Sequence, residues 1–195
     1  KAVWSGVLLD GVKLPKSFQG PLVIPENVTV VGRYVCKELT QLTEVILPAG
    51  IDALHGSAFS GCWNLEKINL PEGLIRIEPY CFEGCLSLKE LHIPVSLRVG
   101  GGMFLGVPST TKVTMAEGSK YYVENGVVYS KDNCFVRLLS DVEEFTVKDG
   151  TKSIGSYAFS KCRNLKKIIL PASVDRIDSF AFDKSITTIV VSDDT

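Results

Sequence analysis

The chain has 195 residues, 45% of them hydrophobic, and a formal net charge of −1, with an isoelectric point near 6.2. That balance supplies no basic surface for a polyphosphate or an anionic bilayer, so nucleic-acid binding and electrostatic membrane binding are excluded as expectations. No stretch of 18 or more apolar residues occurs, so no membrane-inserted helix is expected, and a chain of this size can build one core or one that extends along an axis.

Residues 1–21 show little periodic pattern; Ser5-Gly6-Val7-Leu8-Leu9 reads as an N-terminal cap or a partial repeat left over from a hairpin unit. No charged n-region followed by an apolar h-region precedes it, so a signal peptide is not present in this chain and a secreted origin stays compatible with it. From residue 22 onward the sequence repeats. An aliphatic residue followed by proline stands at Ile24-Pro25, Leu47-Pro48, Leu70-Pro71 and Ile93-Pro94, the prolines 23 residues apart, and again at Leu170-Pro171, 23 residues after Lys148 of Val147-Lys148. Within each unit the same residue types return at the same offsets. They are Ala58-Phe59, Cys81-Phe82, Ala158-Phe159 and Ala181-Phe182; then Cys62, Cys85 and Cys162; then Leu65, Leu88 and Leu165; then Ile68, Leu91 and Ile168. Leu54, Ile77, Ile154 and Ile177 form a further ladder.

Two units depart from this pattern. After Pro94, Gly100-Gly101-Gly102 precedes Met103-Phe104, and the ladder places at Val113 and Met115 come one residue early, which predicts a looser rung. Between 116 and 145, Asn125-Gly126 and Asp132-Asn133 separate alternating apolar runs, a hairpin signal because these residues tolerate positive φ. An inserted β-hairpin is expected there, with the solenoid resuming at Val142, Phe145 and Val147.

A unit of about 23 residues cannot bury an apolar face alone and must stack on its neighbours to form a continuous core. The Leu-x-x-Ile-x-Leu segment predicts a short parallel strand with alternate side chains inward. Proline ends it, having no N–H for a ladder. The Ala-Phe segment predicts a short helical, 3-10 or irregular turn that inserts its Phe from the opposite wall. The expected fold class is an α/β-type repeat solenoid of about seven units over residues 22–195.

The unit running from Leu47-Pro48 through Ala58-Phe59 and Cys62 to Leu65-Glu66-Lys67-Ile68-Asn69-Leu70 resembles the BspA-like subgroup of leucine-rich repeats, and Asn125-Gly126-Val127-Val128-Tyr129-Ser130-Lys131-Asp132 is similar to a hairpin that interrupts many members. The resemblance spans roughly residues 22–191. It implies a right-handed coil with the parallel sheet on its concave face, and a secreted or cell-surface protein of host-associated anaerobic bacteria or some protozoa, several with a part in adhesion. It implies no shared ligand.

Little in the sequence can carry catalysis. His55 and His92 lie at different offsets, Glu78 before Pro79 has no carboxylate partner for glycoside hydrolysis, and the nucleophile and metal motifs are absent. No catalytic residue, metal site or cofactor is expected. Of the six Cys, Cys62, Cys85 and Cys162 share a core ladder, Cys81 takes an Ala place and Cys36 a Phe place, which predicts buried free thiols; a Cys62–Cys85 disulfide between adjacent rungs is the rival, and Cys134 is left open.

The remaining candidate is the concave strand face. The position before the Ile ladder runs Glu44, Lys67, Glu90, Lys112, Glu144, Lys167 and Thr188, alternating in charge. Such a row can neutralise itself across adjacent strands. The next outward position runs Ile46, Asn69, His92, Thr114, Thr146, Ile169 and Val190. Lys67, Asn69, Glu90, His92, Lys112 and Thr114 are therefore the candidate binding residues. The expected function is a protein-binding or adhesion module with a host or other extracellular protein as partner; the alternative is a structural spacer. The apolar Ile189-Val190-Val191, followed by Ser192-Asp193-Asp194-Thr195, predicts further repeats, an end-to-end homodimer or a polar tail that blunts the strand edge.

Overall fold

The computed structural model describes residues 14–192, which form two compact units, one holding residues up to 99 with 103–119 and the other 100–102 with 120 onward. Ser5–Leu9 and most of the expected cap lie outside the described residues, as do residues 193–195.

The first unit carries strands β1 (Gln19–Val23), β2 (Val30–Val31), β3 (Gln41–Ile46), β4 (Ala53–Leu54), β5 (Lys67–Ile68), β6 (Arg76–Ile77), β7 (Glu90–Ile93) and β8 (Lys112–Met115). One wall is made of β1–β3–β5 and β7–β8, a second of β2–β4–β6, all paired in parallel. The 23-residue period appears directly as register: Glu44 stands opposite Lys67, Val45 opposite Ile68, and Val31, Leu54 and Ile77 follow one another across the second wall. Burial alternates along β7, with Glu90 and His92 out and Leu91 and Ile93 in. A side-chain period of two therefore places one face of the strand in the core.

The second unit holds β9 (Tyr121–Glu124), β10 (Val127–Ser130), β11 (Cys134–Leu138), β12 (Glu144–Thr146), β13 (Ser153–Ile154), β14 (Lys167–Pro171), β15 (Arg176–Ile177) and β16 (Thr188–Ser192). Strands β9, β10 and β11 form an antiparallel meander. Asn125 and Gly126 join the first two strands with φ of 49° and 75°, the two consecutive positive values that match a hairpin turn to the twist of its strands. β11 then pairs in parallel with β13, Phe135 beside Ile154, and β13 with β15. The meander thus returns the chain to the rung spacing, while β12–β14–β16 make the other parallel sheet.

Of the turn types expected on the wall opposite the Leu-x-x-Ile-x-Leu strands, the irregular one is found. Among the described residues there is no α-helix, and the Ala-Phe segments are turns; the sole 3-10 helix, Gly101–Phe104, falls on the glycine-rich rung. The fold is a β-solenoid in each unit. Backbone conformation gives the reason: Tyr34, Ser57, Tyr80, Tyr157 and Phe180, each one residue before the small or Phe-pairing position, have φ between 58° and 64°. Four residues further on, Glu38, Gly61, Gly84 and Lys161 are again left-handed. Left-handed residues at both ends cannot propagate a right-handed helix.

Hydrogen bonding along these turns alternates instead. Ala58, Ser60 and Cys62 donate their N–H groups to carbonyls three residues back, while Phe59 donates to Cys81 and Gly61 to Glu83 on the next rung. Three of these donors close the turn and two stitch the rungs. Hydroxyls complete the pattern on neighbouring rungs: Ser96 donates to Leu74 O, Thr111 to Leu88 O, Ser173 to Thr151 O and Ser185 to Cys162 O, at 2.8–3.0 Å.

The left-handed Lys161 makes a direct test of this turn. Its φ of 59° is one that an L-residue adopts at a cost of about 1–2 kcal/mol and glycine at almost none. Lys161→Gly keeps the amide that donates to Asp183 Oδ2 at 2.8 Å. The variant should be stabilised by about 1 kcal/mol, raising Tm by roughly 2–4 °C, as read by thermal melting.

The cores follow the ladders. In the first unit Phe59 and Phe82 stack at 6.1 Å between centroids. In the second, Phe135, Phe159 and Phe182 stack in turn at 4.6 and 5.7 Å. Ile177 departs from its ladder, being 47% exposed, because β15 is the last described strand of its sheet. β16 likewise ends its sheet, and Ile189, Val190 and Val191 are exposed.

Candidate binding surfaces

All six cysteines are free thiols, and all but Cys134 are buried. Cys62 Sγ donates to Cys36 O at 3.0 Å and Cys85 Sγ to Phe59 O at 3.2 Å, so these thiols perform the same carbonyl-capping task as the hydroxyls above. Burial pushes the Cys62 thiol up to about 12 and raises those of Cys36, Cys81 and Cys85 as well. Thiols held protonated in this way are inert as nucleophiles and metal ligands. No group of three or more His, Cys, Asp or Glu side chains able to hold a metal ion occurs among the described residues.

The six candidate strand-face residues all belong to the first unit. Lys67 lies on β5 opposite Glu44, Glu90 on β7 opposite Lys112 of β8, and all four charged side chains face outward. Among the described residues no salt bridge joins Glu44 to Lys67 or Glu90 to Lys112; the corresponding pair of the second unit, Lys167 and Glu144, closes to 2.8 Å. Self-neutralisation of the charged row is therefore realised in the second unit, whereas in the first Lys67, Glu90 and Lys112 are presented to solvent and Glu44 is half-buried.

The neighbouring polar row is held by bonds between rungs. His92 Nδ1 and Thr114 Oγ1 are 2.9 Å apart. Asn69 accepts from Leu47 N–H at 2.6 Å and donates to Leu47 O at 3.0 Å, so its amide copies a backbone ladder and extends the strand pairing by one position. Asn69 thus acts first as a structural bridge, a role that spacing alone does not reveal.

Sequence reasoning missed a second cluster, at the corners that follow β2, β4 and β6. Arg33, Tyr34, Gly56, Ser57, Glu78, Pro79 and Tyr80 line a cavity of about 260 Å³. Glu78, whose side chain is only 18% exposed, lies 3.3 Å from Arg33 Nη2 and 3.8 Å from Arg76, and accepts the Gly56 N–H at 2.9 Å. Burial works to raise its pKa, but the Gly56 N–H, His55, Arg33 and Arg76 outweigh it and hold the carboxyl below its usual 4.5. A signal existed: Arg33-Tyr34, Gly56-Ser57 and Pro79-Tyr80 share one repeat offset.

The depressed value fixes the sign of a pH effect. The stability that ionised Glu78 contributes is complete above the unfolded carboxylate value and is lost as pH falls through the lower folded value. Denaturation midpoints measured from pH 6 down to pH 3 should fall less steeply for Glu78→Gln than for the parent below about pH 4.5.

Short parallel strands at a constant period, with Phe ladders behind them, define a repeat solenoid of the leucine-rich kind. The model of the BspA type leucine rich repeat region matches residues 17–133 and 128–194, in six copies, and the chain belongs to that family. No curated protein matches it in sequence. Three solved structures share the fold: a leucine-rich repeat protein from Eubacterium ventriosum (21% identity, 87% of this chain and 55% of that one, TM-score 0.60), the pneumococcal vaccine antigen PcpA (20%, 98% and 66%, 0.56) and a leucine rich cell surface protein from Faecalibacterium prausnitzii (21%, 87% and 60%, 0.51). The chain spans 55–66% of the length of those proteins.

Proposed function

We propose that this chain is a non-catalytic protein-binding or adhesion module of a secreted or cell-surface protein, and that the strand face of its first unit contacts an extracellular protein. The observation that carries this is the outward row Lys67, Glu90 and Lys112, solvated and free of the rung-to-rung salt bridge that closes at Glu144–Lys167. A rigid parallel sheet lowers the ordering cost of binding, since side chains project from a fixed frame. Membership of the BspA-type family and the fold shared with a cell surface protein support the surface assignment. We also infer that the coil is right-handed, the hand of nearly all parallel crossovers, and that the β9–β11 meander is an insertion in the repeat.

A structural spacer is the second reading. It draws on the second unit, where Lys148–Glu124 and Lys167–Glu144 join side chains 24 and 23 residues apart, so that the outer charges brace neighbouring rungs. Surface plasmon resonance on immobilised fibronectin, laminin and collagen separates the two. The adhesion reading expects saturable binding to at least one, weakened tenfold or more when Lys67, Glu90 and Lys112 are all replaced by Ala. Binding unchanged in that variant would overturn the assignment to this face, and binding to none would leave the spacer.

A further inference from the structure

We propose that the cavity at the corners after β2, β4 and β6 is a saccharide-binding slot that takes one neutral pyranose ring between Tyr34 and Tyr80. It is carried by the repeat itself. Residues 34, 57, 80, 157 and 180 occupy the same left-handed place in successive turns, and in the second unit two of them, Tyr157 and Phe180, sit on adjacent rungs with their rings stacked at 5.4 Å and 11°. In the first unit the sequence of side chains is Tyr, Ser, Tyr. Ser57 leaves out the middle ring of that series, and it lines the cavity together with Tyr34 and Tyr80.

The lining selects the ligand. The floor is polar: the Arg33 guanidinium, the Glu78 carboxylate and the Ser57 hydroxyl line the same cavity. An aromatic or aliphatic side chain from a partner protein would take these groups out of water without hydrogen bonds to replace it, at a cost. A pyranose instead is apolar on its faces and carries donors and acceptors around its edge.

Charge narrows the class further. Arg33 and Glu78 offset one another, which disfavours an anion or a cation as ligand. Lys37 Nζ also lies 5.5 Å from the Tyr34 ring centroid, so a quaternary ammonium or a lysine would meet a like charge at that ring. A volume of about 260 Å³ lies below the range of about 300–1,000 Å³ for drug-sized sites, in keeping with one sugar residue of a longer glycan. The slot stands on strands other than those bearing Lys67, Glu90 and Lys112, so it is independent of the strand-face reading.

The test uses the whole chain, ¹⁵N-labelled and assigned, titrated with disaccharides of the gluco, galacto, manno and N-acetylhexosamine series, with indole and tetramethylammonium as competing chemistries. We expect at least one disaccharide to shift the amides of Gly56, Ser57 and Tyr80 saturably, in the millimolar range expected of a single shallow site. Ser57→Tyr restores the missing ring, on a backbone that already carries Tyr at the same φ in three other turns, and should weaken binding more than tenfold with an unchanged melting temperature. Tyr34→Ala and Tyr80→Ala should each weaken it, and Ser57→Ala should retain most of it. The proposal is overturned if no disaccharide saturates at these amides, if Ser57→Tyr binds as well as the parent, or if indole or tetramethylammonium binds there more tightly than every saccharide.

Discussion

Replacement of Arg137 by Leu should destabilise the second unit by roughly 2–4 kcal/mol, although nothing about its place in the sequence marks Arg137 as structural. The side chain sits on β11 and is 6% exposed. Its Nη1 donates to two carbonyls of the following turn, Tyr157 O and Ser160 O, at 2.7 Å each. That turn contains the left-handed Tyr157 and Lys161, so its carbonyls point away from any ladder and one guanidinium gathers both. Burial lowers the Arg137 pKa from its usual value, yet a guanidinium stays charged under any ordinary condition. Loss of the side chain leaves Tyr157 O with only the Ser160 N–H at 3.1 Å and Ser160 O with only a long contact to Cys162 Sγ at 4.0 Å, and it opens a void. Urea unfolding followed by circular dichroism should give a lower midpoint, and hydrogen exchange should show faster exchange at Ser160 and Cys162. Lysine offers a point charge in place of a fork, so Arg137→Lys should recover less than half of the loss. Equal stability of Arg137→Leu and parent would show that the two carbonyls find other partners.

Phe159→Ala should cost more, about 3–5 kcal/mol. Phe159 is fully buried and is the middle ring of three, 4.6 Å from Phe135 and 5.7 Å from Phe182. Its removal opens a cavity that neighbouring rungs cannot close, because their backbones are tied across it: Phe159 N–H donates to Ala181 O at 2.7 Å and Leu138 N–H to Ala158 O at 2.9 Å. Since a solenoid rung is stabilised by its nearest neighbours, the loss should spread to the 135 and 182 rungs before it reaches β9. Denaturant unfolding monitored at Tyr122 and Tyr129, which stack at 5.6 Å in the meander, together with exchange at 153–162, should show the repeat turns opening first. A single cooperative transition with no such order would contradict nearest-neighbour coupling.

The alternating charges on the strand face show why pattern alone cannot assign a surface. Glu44, Lys67, Glu90, Lys112, Glu144 and Lys167 are one row in the sequence, and every adjacent pair has opposite signs. Side-chain geometry divides them, with Lys167 bonded to Glu144 and Lys67, Glu90 and Lys112 standing in solvent. Asn69 illustrates the opposite case, an outward polar residue whose two hydrogen bonds to Leu47 make it part of the sheet.

The period of 23, the in-register parallel strands, the Phe and Leu ladders and the burial of the cysteines were all legible from residue types at fixed offsets. A stacked repeat forces equivalent positions into equivalent environments, so composition at each offset reports burial. What only the tertiary structure decided lies in the turns. Left-handed backbone at residues such as Tyr34, Tyr80 and Lys161 goes against the local preference of those side chains and is imposed by hydrogen bonds to the next rung, which decides for irregular turns among the helical, 3-10 and irregular ones that the Ala-Phe motif left open. For the same reason Arg137 is buried, the first-unit charges stay open and Ser57 leaves a slot between two tyrosines: each depends on which side chains meet across rungs about 23 residues apart, a relation that chain order specifies in register but not in three-dimensional contact.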